Sequence, residues 1–101
     1  MSRMEVEFDD AALDRLETDR ACATMHPPAV VRGFRKVMQA IRAAADERDL
    51  YQLRSLHFEK LKGARQHQRS LRLNGQWRLI VEVRGDGPRK RIGVVEIVDY
   101  H

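Results

Sequence analysis

Near Ser55 the hydrophobic period of this 101-residue chain changes from that of a helix to that of a strand, which splits it into two kinds of structure. Before the switch, Val30, Phe34, Val37, Met38, Ile41 and Ala45 recur at spacings of three and four. They predict an amphipathic helix of roughly 18 residues, opened by Pro27-Pro28 and turning Arg32, Arg35, Lys36, Gln39 and Arg42 outward. Earlier still, Met4, Val6 and Phe8 alternate with Glu5 and Glu7 as a short strand. Asp9 or Asp10 then caps a helix through about Thr18, with Ala12, Leu13 and Leu16 as its stripe. The run Asp46-Glu47-Arg48-Asp49 ends the long helix and leaves room for one more helical turn to about Leu53.

After the switch, Leu56 and Phe58 alternate with His57 and Glu59, predicting a strand that stops at Gly63. Ser70–Leu73 and Trp77–Val83 flank Asn74-Gly75, a hairpin signal. Arg84-Gly85-Asp86-Gly87-Pro88 is a second turn, and Arg89–Tyr100 is the last strand. Its Val94, Val95, Ile97 and Val98 put apolar residues on both parities, as in a strand covered on both faces. A strand, two helices and then four strands make a single α+β domain over residues 1–101. Its sheet is mostly antiparallel, with the helices packed on one face.

Composition removes other classes. No apolar run exceeds three residues, whereas a membrane-spanning helix needs about 20. The first residues carry Glu5 and Glu7 where a secretory signal needs an apolar core. Cys22 is the lone cysteine, which excludes an internal disulfide and a cysteine-built zinc site and suits a reducing, cytoplasmic compartment. The formal charge of +4 is unevenly spread: residues 54–91 hold eleven Lys and Arg against Glu59, Glu82 and Asp86. Such a field attracts polyanions, nucleic acid being the commonest, although a solvated surface kept for solubility gives the same tally.

Hairpin parity turns that field into a site. A three-residue loop, Asn74-Gly75-Gln76, would pair Leu73 with Trp77 and Leu71 with Leu79 on the buried face. Arg72 and Arg78 would then face each other on the opposite side of the sheet. Like charges directly across a ladder repel, so their presence suggests an anion between them, and two guanidiniums can clamp a phosphate. His57 and Glu59 would point to the same face. Trp77 reads as core, while His26 and His67 read as exposed bystanders.

Four segments resemble a known family: Leu61-Lys62-Gly63-Ala64-Arg65, Ser70-Leu71-Arg72-Leu73-Asn74, Gln76-Trp77-Arg78-Leu79 and Glu96-Ile97-Val98-Asp99-Tyr100-His101. Together they are similar to the HigB-type toxins, or plasmid-maintenance killer proteins, of the RelE/ParE toxin superfamily. The motifs cover about residues 55–101, and the N-terminal half agrees in layout.

The resemblance implies a bacterial endonuclease that cuts mRNA on the ribosome, inhibits translation and is silenced by a cognate antitoxin, a small helix-turn-helix protein. It carries a functional role to Asp99, Tyr100, His101, Arg78 and Lys62. Some relatives have a histidine where this chain has Glu59, so Glu59 or His57 is the second proton-transfer candidate.

Metal-free cleavage by the RNA's own 2′-hydroxyl needs a base, an acid and cations around the phosphorane, and no cofactor. His101 oriented by Asp99 would supply acid–base chemistry, Arg78, Arg72 and Lys62 the positive charge, and Tyr100 a stacking ring or a hydroxyl. Lys60, Arg65, Arg69, Arg89, Lys90 and Arg91 would bind flanking RNA backbone.

Overall fold

The structure, a computed structural model, describes residues 4–19 and 26–99. Cys22, Tyr100 and His101, and the roles read for them, lie outside the described residues. In chain order the elements are β1 (Glu5–Phe8), α1 (Ala11–Thr18), α2 (Pro28–Ala43), α3 (Glu47–Gln52), β2 (Glu59–Lys60), β3 (Gln68–Asn74), β4 (Trp77–Arg84) and β5 (Arg91–Asp99). Short 3-10 turns cover Arg54–Leu56, Gly63–Arg65 and Gly87–Arg89. The strands form one sheet in the order β1-β5-β4-β3-β2, antiparallel except where β1 joins β5 in parallel. The α+β layout read from the sequence is present, with the N-terminal strand as one edge of a five-stranded sheet.

Local chemistry explains the helices. Asp10 Oδ1 accepts from the Ala12 N–H at 2.9 Å, and Asp46 Oδ1 accepts from the Arg48 N–H at 3.0 Å. Each carboxylate thereby satisfies an amide that the first helical turn cannot. α2 starts at Pro28, where no N–H is required, and buries Val30, Phe34, Val37, Met38 and Ile41. Ala44 rather than Ala45 completes the stripe, because the helix ends at Ala43 and Ala44 is already extended. Two arginines of the outer face turn back to fasten α1. Arg42 makes a two-pronged bond to Glu17, and Arg35 Nε donates to the Leu16 carbonyl at 3.0 Å.

The helix stripe packs on Leu71, Leu73, Leu79, Val81, Ile92 and Val94 of the sheet. Gly33 permits the close approach: a Cβ built there would lie 2.2 Å from the Leu73 carbonyl oxygen. In an exposed helix, Gly→Ala gains about 1 kcal/mol. Here Gly33→Ala must push α2 off β3, and the expected result is a loss of about 1–3 kcal/mol in chemical denaturation. A stabilised variant would show that the helix does not depend on this contact.

Three expectations about strands are corrected. Leu56, His57 and Phe58 lie outside the strand: Leu56 ends a 3-10 turn, His57 has φ 49°, and in β2 only Glu59 and Lys60 pair with β3. Leu56 and Phe58 are both buried all the same, brought inward by the turn rather than by strand alternation. In the hairpin, Leu71 faces Leu79 and Arg72 faces Arg78 as the parity required, but Asn74, not Leu73, faces Trp77. Leu73 is the extra residue of a bulge, which keeps the parity while shortening the loop to Gly75-Gln76. In β5, Ile80 pairs with Glu96 while Val81 pairs with Val94, leaving Val95 as a second extra residue. Its two-sided apolar pattern therefore reflects a one-residue slip in the ladder, with Val95 and Val98 only half-buried.

Charge fastens β1 to the sheet. Arg84 reaches across β5 to Glu7 at 2.6 Å and Asp9 at 2.8 Å while holding Glu82 at 2.9 Å. Gly93 makes the path possible, since a Cβ there would lie 2.2 Å from the guanidinium carbon. Hydrogen bonds from Arg84 hold the Glu7 and Asp9 carboxyls below their ordinary range, and one from Gln68 does so for Glu82. Carboxyls depressed by folding stabilise the protein above their unfolded pKa values, and that contribution vanishes as pH falls through the folded ones. Thermal melts should therefore fall more steeply from about pH 5 to pH 2 for the wild type than for Arg84→Met. Parallel curves would remove the clamp.

Candidate phosphate-binding face and edge cleft

The side chains opposite the helices form cross-strand rows. One row is Arg72 on β3, Arg78 on β4 and Val98 on β5. The neighbouring row runs Glu59, Ser70, Ile80 and Glu96. Arg72 is exposed and Arg78 half-buried. Among the described residues no carboxylate forms an ion pair with either guanidinium. Two like charges thus face each other across the ladder. Among the described residues, no three His, Cys, Asp or Glu side chains group as a metal site.

Several cations read as RNA contacts have partners inside the protein. Arg65 Nε donates to Gln68 Oε1 at 2.8 Å, and its Nη2 donates to Glu96 at 3.1 Å. Gln68 in turn donates to Glu82 at 3.0 Å, and His67 Nε2 lies 3.5 Å from the same carboxylate. His67 is therefore an exposed residue with a partner rather than a bystander. Arg65 ties the loop that carries exposed Lys62 across the sheet to β5. Arg69 Nε donates to the Tyr51 hydroxyl at 3.2 Å, and the Tyr51 ring meets Phe58 edge-on.

The Arg89-Lys90-Arg91 run is not one basic patch. Lys90 binds Glu47 at 3.1 Å and Asp46 at 3.6 Å, Arg91 binds Glu7, and Arg89 and Lys60 stay exposed.

A cleft of about 480 Å³ opens at the outer edge of β3. Pairing with β2 stops at Ser70, so among the described residues Leu71–Asn74 have no strand on that side. Gly33, Lys36 and Val37 of α2 form one wall, Leu56 and His57 a second, and Arg72, Leu73 and Asn74 a third. His57 thus approaches Arg72 through this cleft and not through strand parity. Its left-handed backbone is unusual for a residue with a side chain, and it is the single non-glycine example among the described residues.

Two placements differ from the sequence reading. Asp99 faces Trp77 across the ladder, and Trp77 packs on the helix-side core, so Asp99 has the opposite parity to Arg78. The open-face carboxylates near the arginine row are Glu59 and Glu96. His26 is half-buried, its ring edge-on to Trp77 with centroids 5.5 Å apart. Nothing in the sequence marks that contact, because His26 precedes Pro27-Pro28 and belongs to no periodic pattern.

The fold is that of a known toxin class. Over 97% of this chain and 100% of the other, it is similar to the solved "YoeB/ParE toxin from Agrobacterium tumefaciens", with a TM-score of 0.60 at 18% identity. The family model for RelE-like toxins of type II toxin-antitoxin systems, HigB, matches residues 6–101, and the chain belongs to that family. The match extends the motif resemblance through the N-terminal half, and membership implies an antitoxin partner. No curated protein sequence matches the chain. Among the described residues no helix is long and apolar enough to cross a membrane.

The Arg65 bridge gives a prediction of its own. If Arg65 positions the Lys62 loop, Arg65→Glu should free that loop to limited proteolysis, and the exchange Arg65→Glu with Glu96→Arg should restore protection. A simple RNA contact at Arg65 predicts no such rescue.

Proposed function

We propose that this RelE-like toxin is a ribosome-dependent mRNA endonuclease of the bacterial cytoplasm, neutralised by its cognate antitoxin. The observation that carries the reading is the facing pair Arg72–Arg78, which no carboxylate among the described residues neutralises. Opposed like charges cost a few tenths to about 1 kcal/mol. A phosphate accepting hydrogen bonds from both converts that repulsion into a two-sided clamp.

In the reaction the ribose 2′-oxygen bonds to phosphorus and the bond from phosphorus to the 5′-oxygen breaks. One group takes the 2′-hydroxyl proton and another gives a proton to the leaving oxygen. Arg78, Arg72 and Lys62 stabilise the charge that develops on the phosphorane. His101 does acid–base work with Asp99 orienting it, and Tyr100 stacks on a base or lends its hydroxyl. Glu59, one row from the arginine pair, and His57, in the edge cleft, are the two candidates for the second proton transfer. Lys60 and Arg89 hold flanking backbone. Arg65, Arg69, Lys90 and Arg91 do so only by releasing their internal partners.

A second reading keeps the fold and drops the cleavage: an inhibitory protein of the ParE kind, or an RNA-binding module without chemistry. The opposite parity of Asp99 and Arg78 favours it. Inducible expression of wild type, Arg78→Ala and a chain ending at Tyr100 separates the readings when growth and new mRNA 5′ ends are followed together. Wild type should arrest growth and cut, Arg78→Ala should do neither, and loss of His101 should reduce cleavage about 10²–10⁴-fold. A folded, fully active Arg78→Ala would end the phosphate-clamp assignment. Arrest without new 5′ ends would select the ParE-like reading.

A further inference from the structure

We propose that the cleft at the outer edge of β3 is a nucleotide subsite, which takes one unpaired nucleotide of the RNA strand next to the clamped phosphate. The proposal rests on the nuclease reading and lengthens its RNA path, from the open face around the sheet edge to α2.

Size, chemistry and connection support it. At about 480 Å³ the cleft lies in the range of small-ligand pockets and matches a single nucleotide. Its apolar surface comes from Val37, Leu56 and Leu73, which suits the face of a base. Its polar side chains include Lys36, Ser55, His57, Arg72 and Asn74, and among the described residues no carboxylate lines it. The Asn74 amide can donate and accept on a base edge, and Lys36 supplies the charge a flanking phosphate requires. Beside them, pairing with β2 has already ended, and among the described residues no strand covers that edge of β3 from Leu71 to Asn74.

Arg72 makes the connection. It lines the cleft and is also the partner of Arg78 in the open-face row. A strand whose phosphate sits between the two guanidiniums therefore brings its next nucleotide to the cleft. An acidic peptide added as an extra strand fits less well. Among the described residues only the short stretch Leu71–Asn74 of the edge has no partner strand, and the 3-10 turn with His57 walls the space alongside.

The test titrates the full-length, isotope-labelled chain with a single-stranded RNA hexamer whose 2′-hydroxyls are methylated, so that it cannot be cut. Amide signals of Gly33, Leu73, Asn74 and Gly75 should shift together with those around Arg78. An abasic nucleotide at one position of the hexamer should erase the cleft shifts and spare those of the open face. Lys36→Ala should weaken binding and lower the slope of log affinity against log salt by about 0.7. Shifts confined to the open face, with Lys36→Ala unchanged in affinity and slope, would overturn the subsite and leave the nuclease reading standing. Shifts on neither face would count against both. Cleft shifts with an octaglutamate peptide but not with the hexamer would also overturn it, assigning the edge to a protein partner.

Discussion

The structure depends on how closely α2 lies on β3. With no side chain at Gly33, the helix backbone comes almost into contact with the Leu73 carbonyl, and Phe34, Val37, Met38 and Ile41 then cover one side of the sheet. Burial on that side is what forces the parity of β3 and β4, since a slip of one residue would expose Leu71 and Leu79 and bury arginine. The opposed guanidiniums on the other face are thus a product of core packing. No local preference of their own would put them there.

Charge has two roles in the fold. Arg84, Arg35, Arg42, Arg65 and Lys90 are fastened to carboxylates or carbonyls and hold elements together: β1 to the sheet, α1 to α2, the Lys62 loop to β5, and the β4–β5 connection to α3. Among the described residues, Arg72 and Arg78 face each other without that neutralisation, close to a cleft whose lining holds no acid. Folding therefore consumes part of the positive field between residues 54 and 91, while Lys60, Lys62, Arg72 and Arg89 stay exposed.

Reading the sequence succeeded where periodicity and burial agree. The α2 stripe and the Arg72–Arg78 pairing both follow from which residues must avoid water. It failed where a single backbone angle or one inserted residue decides the outcome. His57 looks like a strand residue because Leu56 and Phe58 flank it, yet a left-handed turn buries both neighbours equally well. The bulges at Leu73 and Val95 leave no mark in composition, and the second produced a false sign of two-sided cover. Asp99 and Arg78 are both chemically apt, but their opposite parity emerges only from the pairing of β4 with β5.

The sequence by itself determined the class of fold, the face that is buried, the alignment of the two hairpin arginines and the family resemblance. Each of these follows from short-range pattern and the exclusion of apolar side chains from water. Tertiary structure alone decided which cations are already partnered, where β2 stops and that a cleft opens there between α2 and β3. Those outcomes depend on which side chains meet across distances of up to 84 residues along the chain, as Glu7 and Arg91 do. Pattern along a chain carries burial, whereas partners across it exist only once the layers have closed.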